Sequence, residues 1–566
     1  MDWKNEGRIT LWLVILFLGV FLFLGAGKIS DHQITHASPT GMMASDAFTH
    51  NWVAQNTYDT GYIDTPPNYA FDSKEEAEQK VGNYKLFHPP VLPLLTASIT
   101  QLSGLNLYDI NILLVFLFIV LMVALNYFIL AKFNETLALF SLPLSLLFLS
   151  GKFFISLSWG WWDFLTGEFF LLATILIILS EKFSFRYIVL AVFISITFMA
   201  HGVEAGYLGL FVFLYLFFSF IFRRKELSLL LLEQVQSFLL VIPLVLYFLP
   251  VIFKTMGAMG YAQVRALTNS QFITQIYNGS PPNYFVYFNE FLYFQGVILL
   301  GIFVLFYFLI KKRNELLPYI SFVIIMSLFP YLYFTAGERG FQWRFLWPIY
   351  LSFSFGAVVY LIYSLIKRFI PSKFPLKFLF ILGTFTTVIV FVLPLPFFGA
   401  GLIDQSDYAS YLWIHKNSNT YDKLFILYSP INNQISRLYL LKRDWFVSTS
   451  ETWQNMNLKE SKLTRVEDHD PSSFFCERKD CSFFEESKFV DKVVKEKISS
   501  YKNISVCSVD YIYLPLKNQQ EIFNKNVQYL QYLVQNNITQ IVFQNEAAVI
   551  GKNTLKGEAC ESKFKS

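Results

Sequence analysis

Long apolar runs alternate with short polar segments from Met1 to about Gly401. A helix of about 20 apolar residues crosses the hydrocarbon core of a bilayer. The runs therefore predict about eleven membrane-spanning helices, at 9–27, 108–131, 135–155, 164–180, 187–201, 205–222, 235–254, 291–310, 317–335, 345–366 and 376–397. The first run lacks a small-residue cleavage site at a suitable distance, which favours a retained helix over a signal peptide.

From Leu402 to Ser566 the pattern becomes polar and mixed, with no apolar run long enough to cross a bilayer. Strand-like runs at 423–428, 504–516 and 538–545 accompany a segment of helical periodicity at 519–537. We therefore predict two domains. An all-α polytopic membrane domain covers 1–401, with a first outer loop at 28–107, and a soluble α/β domain covers 402–566.

Basic residues predict the orientation of the membrane domain, because short loops rich in Lys and Arg stay in the cytoplasm. They cluster in alternate loops, at 132, 182–186, 223–225, 311–313 and 367–373. With these loops inside, an odd number of spans places the C-terminal domain outside. The segment 88–105 is apolar but short and rich in Pro. As a span it would reverse every later loop, so we predict a helix that lies at the interface within the first outer loop.

Composition supports an integral, multi-pass protein of the plasma membrane. The chain is 54% hydrophobic and only 15% charged, whereas soluble proteins carry about 25% charged residues. The formal net charge of +4 is too small to indicate nucleic acid as a partner. Membrane lipids are the partner that this composition predicts directly.

All the cysteines lie in the predicted soluble domain, at Cys476, Cys481, Cys507 and Cys560. An even number in one domain suggests disulfides and an oxidising, extracytoplasmic compartment. Four cysteines allow three pairings. We prefer Cys476–Cys481 with Cys507–Cys560, and reduced thiols in a cytosolic domain are the alternative.

With this orientation, ionisable and aromatic side chains gather on the outer face of the membrane domain. Asp46 and His50 are four residues apart, so a helix would place them on one side. The other outer-loop candidates are His88, Trp161, Trp162, Asp163, His201, Glu204, Arg265, Arg339 and Arg344. Each also has a structural interpretation, such as a helix cap, a packed histidine or a headgroup anchor. Charges near a bilayer are costly and usually kept for function, so their combination predicts a site.

The plan of the whole chain resembles that of the GT-C glycosyltransferases, although on loose motifs. An apolar helix is followed by an early acid in SDAFTH and then by LFHPPVLPLLTASITQLSGL, with Pro89, Pro90 and Gly104. Protein O-mannosyltransferases and aminoarabinose transferases open in a similar way. The stretch 339–361, RGFQWRFLWPIYLSFSFGAVVYL, resembles the arginine-then-helix segment of prokaryotic members. Many members carry two adjacent acids where Asp46 is here followed by Ala47.

A second likeness involves the stretch WWDFL at 161–165. It is similar to the Trp-Trp-Asp-Tyr-Gly motif of oligosaccharyltransferases, which lies in their soluble domain. Here the stretch lies between predicted spans, and Leu165 replaces the glycine. We interpret this likeness as coincidental.

The GT-C resemblance implies transfer of a sugar from a polyprenyl-phosphate or polyprenyl-diphosphate carrier to a glycan, lipid or protein acceptor outside the cytoplasm. Asp46 would be the catalytic base, assisted by His50, and the two would hold a divalent ion, Mg or Mn, if one is used. Arg339 and Arg344 would bind the donor phosphate, because a guanidinium grips phosphate with two hydrogen bonds. A single displacement would invert the anomeric carbon. The remaining candidates would bind substrate: His88, Trp161, Trp162, Asp163, His201, Glu204 and Arg265.

Other classes of protein remain open at this point. A transporter or lipid flippase would favour internal repeats and charges at mid-membrane, whereas this chain has no clear repeat and its charges lie at span ends. A polysaccharide polymerase or ligase also uses lipid-linked sugars, but its arginine-rich outer loops are usually longer. A nonenzymatic assembly or receptor protein would not need an acid, imidazoles and arginines on one face.

Overall fold

Helices make up the first part of the structure, a computed structural model. The described residues are 3–42, 46–61, 89–149, 156–158, 160–180, 184–222, 224–246, 303, 348–370, 376–391, 401, 403–427, 444–447, 462–464, 503–516 and 520–565. Several predictions fall outside these residues. They concern His88, Arg265, Arg339, Arg344, Cys476, Cys481, the span at 317–335 and, apart from Phe303, the span at 291–310.

The helices of the membrane domain overlap every predicted span that the structure describes. They are α1 (Trp3–Asp31), α2 (Asp46–Thr60), α3 (Val91–Ser103), α4 (Leu107–Phe133), α5 (Glu135–Ser141), α6 (Trp162–Leu179), α7 (Arg186–Ala200), α8 (Gly202–Phe222), α9 (Arg224–Val245), α10 (Pro348–Ile366) and α11 (Leu376–Phe391). Within the described residues, four helices are long and apolar enough to cross a membrane, at Thr10–Asp31, Leu107–Lys132, Trp162–Leu179 and Glu204–Ile221. The chain is an integral membrane protein, and the total number of spans stays a prediction.

Two predicted spans differ in detail from the helices observed. The run at 135–155 forms α5 and then a 3₁₀ segment, Leu142–Leu149. The change comes at Pro143, which has no backbone N–H to donate. The run at 235–254 belongs to α9, which begins eleven residues earlier than predicted, at Arg224. The charged Glu233 interrupts the apolar run, so the sequence pattern places the start of the helix too late. Its carboxylate is paired with Arg186 on α7, with Nε 3.1 Å away.

The segment predicted as the first outer loop contains α2 and α3, which buried amide side chains join to α4. Thr96 donates from Oγ1 to Oδ1 of Asn111 at 2.5 Å. Asn111 in turn donates from Nδ2 to Oδ1 of Asn51 at 2.7 Å, and Asn51 donates to the carbonyl of Ala47 at 2.8 Å. Buried amides need such partners because an unmatched one costs the full desolvation penalty. This network fixes α2 against the membrane helices.

A small α/β assembly forms the C-terminal part of the structure. Its elements are α12 (Gln405–Asn417), β1 (Lys423–Ile426), β2 (Asp444–Val447), β3 (Lys462–Thr464), β4 (Asn503–Ser505), β5 (Tyr511–Pro515), α13 (Gln520–Gln535), β6 (Thr539–Gln544), β7 (Ala548–Asn553) and α14 (Gly557–Lys565). A five-stranded sheet has the order β2-β1-β5-β7-β6. β1 pairs in parallel with β2 and β5, whereas β7 is antiparallel to β5 and β6. The sheet agrees with the predicted α/β class.

The disulfide Cys507–Cys560 ties the turn after β4 to α14 across a sequence separation of 53 residues. This bridge is one of the two in our preferred pairing. Both cysteines are buried, and their Cα atoms lie 5.5 Å apart. The bridge therefore belongs to the core between the sheet and the last helix.

Tyr408 on α12 connects this assembly to the membrane domain. Its hydroxyl donates to the carbonyl of His36 at 2.7 Å. The amide of His36 donates to Oδ1 of Asp109 at 2.9 Å, and its Nδ1 is bonded to Oδ2 of the same carboxylate. Burial first, and then the nearby Asp109 carboxylate, raises the pKa of Tyr408. The phenol is thus held protonated as a donor.

Removing the disulfide is expected to weaken the C-terminal assembly. Chain-entropy theory assigns about 4 kcal/mol to a bridge that spans 53 residues. Cys507→Ala, Cys560→Ala and the double variant should each lower the unfolding free energy of the sheet by about 2–4 kcal/mol. Hydrogen exchange of the β5 amides in the full-length protein measures it. A double variant that exchanges like the wild type would contradict the structural role.

The junction at Tyr408 predicts a dependence of stability on alkaline pH. Because its folded-state pKa is raised, its contribution is complete below the ordinary phenol pKa of about 10 and is lost as pH rises through the folded value. Tyr408→Phe should lose about 1 kcal/mol at neutral pH and show a shallower fall in stability above about pH 10. Thermal unfolding in nanodiscs measures both effects.

Tyr532→Phe is the matched control for this experiment, since the exposed Tyr532 hydroxyl donates to the Lys563 carbonyl at 3.3 Å. Its alkaline limb should follow the wild type. If the stability of Tyr408→Phe fell at alkaline pH just as that of the wild type does, ionisation of this phenol would not weaken the contact between the two parts.

Candidate active site

A buried imidazole–carboxylate pair lies where α2 meets the start of α6. Nδ1 of His50 is 3.5 Å from Oδ2 of Asp163, and the two side chains are only 9% and 10% exposed. Nε2 of His50 is 2.7 Å from the carbonyl oxygen of Gly160. A carbonyl can only accept, so Nε2 carries a proton and Nδ1 faces the carboxylate. The ring is therefore fixed in orientation at both nitrogens.

The local chain explains why Gly160 presents its carbonyl here. Gly160 has φ +77°, a left-handed conformation that side chains disfavour and glycine adopts freely. Its turn ends where α6 begins, and Leu165 makes an early helical hydrogen bond to the carbonyl of Trp161 at 3.1 Å. Asp163 lies in the first turn of α6, where the helix dipole favours a negative charge.

Trp162 supports the pair from the protein interior. Its ring stacks on His50 with centroids 5.7 Å apart, and its Nε1 donates to the carbonyl of Leu157 at 2.8 Å. Trp162 is 0% exposed and Trp161 only 6%. That both tryptophans bind substrate stays a prediction. In this structure Trp162 packs beneath His50.

A second imidazole–carboxylate pair borders the same helix. Nδ1 of His201 is bonded to Oε2 of Glu204, and His201 packs edge-on against Phe164 at 5.8 Å between centroids. A Cβ at Gly167 would lie 2.8 Å from Cβ of His201, so only glycine permits this approach. Asp163 and Gly167 are one helical turn apart, about 6 Å along the axis. The two pairs therefore lie beside each other.

The structure thus brings together His50, Trp162, Asp163, His201 and Glu204. Asp46 begins α2, one turn before His50. Sequence analysis missed Gly160 and Gly167, because a carbonyl and an absent side chain leave no chemical signature. The signal for Gly167 is a glycine within an otherwise apolar helix, which often marks close packing.

The donor set fits a divalent ion only in part. No group of three His, Cys, Asp or Glu side chains converges within the part of the chain that the structure describes. His50 and Asp163 nonetheless fit as two ligands, since ligands about 2.1 Å from an ion can be separated by the 3.5 Å observed. A ligating histidine also typically donates its other N–H to a carbonyl, as His50 does to Gly160.

Comparison with solved structures identifies the fold. The apo oligosaccharyltransferase of Archaeoglobus fulgidus is 12% identical with a TM-score of 0.53, over 99% of this chain and 76% of that one. ArnT of Cupriavidus metallidurans bound to undecaprenyl phosphate is 13% identical with a TM-score of 0.51, over 97% and 99%. Its apo state gives 12% and 0.51. No family model and no curated protein matches the chain by sequence.

These neighbours are GT-C glycosyltransferases. The chain therefore has the GT-C fold, and the resemblance read from the sequence is confirmed at the level of fold. The likeness extends over almost the whole chain, which includes the C-terminal assembly as well as the membrane helices.

Removing Asn111 is expected to loosen α2 and with it the site. Asn111→Ala leaves the side chains of Thr96 and Asn51 without this buried partner, at about 1–3 kcal/mol for each unmatched group. Stability should fall in thermal unfolding, and protection of α2 amides in hydrogen exchange should fall with it.

Asn126→Ala provides a control on the same helix, because Asn126 donates to Ser352 on α10 at 3.0 Å. This variant should lose stability but keep the protection of α2. Equal loss of α2 protection in both variants would contradict the specific role of the amide network.

Proposed function

We propose that the protein is a membrane glycosyltransferase of the GT-C type. It transfers a sugar from a polyprenyl-phosphate or polyprenyl-diphosphate carrier to a glycan, lipid or protein acceptor outside the cytoplasm. The observation that carries this proposal is the buried His50–Asp163 pair at the start of α6, in a chain with this fold. The GT-C neighbour ArnT, which is bound to undecaprenyl phosphate, supports a lipid-linked carrier.

In this proposal Asp46 removes the proton from the acceptor. A hydroxyl or amide is a weak nucleophile and needs a positioned base. His50 lies one turn along the same helix, where Gly160 and Asp163 fix its ring. The His50–Asp163 pair therefore has a fixed orientation, and it orients the acceptor side of the site. A fixed constellation lowers the entropy cost of reaching the reactive geometry.

The transfer itself is a single displacement. The acceptor atom forms a bond to the anomeric carbon, the bond from that carbon to the carrier's phosphate oxygen breaks, and the acceptor proton passes to Asp46. One displacement inverts the anomeric carbon, as in inverting glycoside cleavage. The carrier leaves as an anion, and Arg339 and Arg344 are the proposed groups that stabilise it by charge-assisted hydrogen bonds.

A divalent ion, where bound, would be held by His50 and Asp163, and it would supply positive charge to the leaving phosphate. The pair at His50 keeps its orientation through Gly160 in either case. Chelation by EDTA distinguishes the two cases, because only an enzyme that uses the ion loses activity reversibly.

The proposed site faces the extracytoplasmic side together with the C-terminal assembly. The distribution of basic loops supports this orientation. The disulfide Cys507–Cys560 supports it independently, because such bonds persist in oxidising compartments. Tyr408 and His36 connect the assembly to the same end of the membrane domain as Asp109.

Removal of the site carboxylates is expected to abolish transfer. Asp163→Asn and Asp46→Asn should each lower kcat by about 10²- to 10⁴-fold while leaving the protein folded. The assay follows release of undecaprenyl phosphate from undecaprenyl-phosphate-linked hexose and pentose donors, with purified protein in nanodiscs and a cell-envelope extract as acceptor.

Asp59→Asn is the matched control, because Asp59 is exposed on α2 and accepts a local hydrogen bond from Gln55 at 2.8 Å. It should retain wild-type turnover. Full turnover by Asp163→Asn, or lipid transport across vesicles without donor cleavage by the wild type, would rule out the proposed chemistry.

A further inference from the structure

The His201–Glu204 pair occupies a break between two helices. α7 ends at Ala200, His201 has extended backbone (φ −162°, ψ 126°), and α8 starts at Gly202. Glu204 is therefore in the first turn of α8, where the helix dipole favours its negative charge. The bond from His201 to Oε2 holds the carboxylate in one orientation. This much is explained by helix capping.

Capping does not explain the other oxygen of the carboxylate. Glu204 is 1% exposed, and within the described part of the chain its Oε1 is buried and accepts no hydrogen bond. A buried carboxylate oxygen without a partner is costly, and charges inside membrane domains are usually retained for function. A carboxylate fixed at one oxygen and unmatched at the other is suited to accept a hydrogen bond from a ligand.

The position of Glu204 links it to the proposed transferase site. Its Oε2 would lie 3.1 Å from a Cβ at Gly167, one turn of α6 from Asp163. The side chain of His201 is 15% exposed, and that of Glu204 is 1% exposed. The pair therefore borders the same end of α6 as His50, with the carboxylate as its inner member.

We propose that Oε1 of Glu204 accepts a hydrogen bond from the sugar of the lipid-linked donor, and that His201 is the positioning residue that holds it. This inference rests on the proposed function. The partner group is a hydroxyl or an ammonium, two hydrogen-bond donors that sugars carry. A site built around such a bond rejects sugars that lack it, because the carboxylate is then left unmatched. Glu204 thus determines sugar specificity.

The test measures how much the sugar adds to lipid binding, so that it does not depend on turnover. Native mass spectrometry in nanodiscs compares undecaprenyl phosphate alone with undecaprenyl phosphate that carries glucose or glucosamine. The wild type should bind one of the glycosylated lipids at least about 10-fold more tightly than the bare lipid. Glu204→Met should reduce that preference to about 1-fold and leave affinity for the bare lipid unchanged.

Glu204→Gln separates the two donor groups, since a neutral amide still accepts from a hydroxyl but does not attract an ammonium. A preference for glucose should survive in part in this variant, whereas a preference for glucosamine should disappear. The exposed Glu135, in the first turn of α5, gives the control Glu135→Gln, which should keep the full preference.

Two results would overturn the inference: a wild type with no preference for either glycosylated lipid, or a Glu204→Met variant that keeps the wild-type preference. A wild type that shows the preference, and loses it in Glu204→Met, but never cleaves the donor would uphold this inference and defeat the proposed transferase. The failure of one claim is therefore distinguishable from the failure of the other.

Discussion

The contact between His50 and Asp163 holds the first outer loop against the membrane helices at the site. Nδ1 and Oδ2 are 3.5 Å apart in a buried environment, where an unpaired carboxylate would be expensive. Gly160 fixes the opposite nitrogen of the ring. One face of α2 and the first turn of α6 are thereby brought together, and every chemical role assigned here depends on that juxtaposition.

The surrounding structure serves to keep this contact in place. The amides of Asn51 and Asn111 bind α2 to α4, while Trp162 fills the space beneath the imidazole. Gly167 lets a second carboxylate approach the same helix. Interiors are close-packed, so such neighbours leave the side chains of the site little freedom to reorient. The result is a polar site assembled inside an otherwise apolar domain.

The sequence predicts those features that local pattern controls. Apolar runs identified the membrane helices. Asp46 and His50, whose four-residue spacing would place them on one side of a helix, both lie in α2. Pairing between His50 and Asp163 joins residues far apart in the chain, so no local pattern contains it. The burial of Trp162 also depends on tertiary packing, so its position beneath His50 could not be predicted from the local sequence.

A double-mutant cycle between His50 and Asp163 tests the central claim most directly. His50→Gln, Asp163→Asn and the double variant are compared for kcat/KM with an undecaprenyl-phosphate-linked donor. If the two side chains act as one unit, the double variant is hardly worse than either single one, with a coupling of about 1–3 kcal/mol. Strictly additive losses would mean that the two residues act independently and would contradict the account.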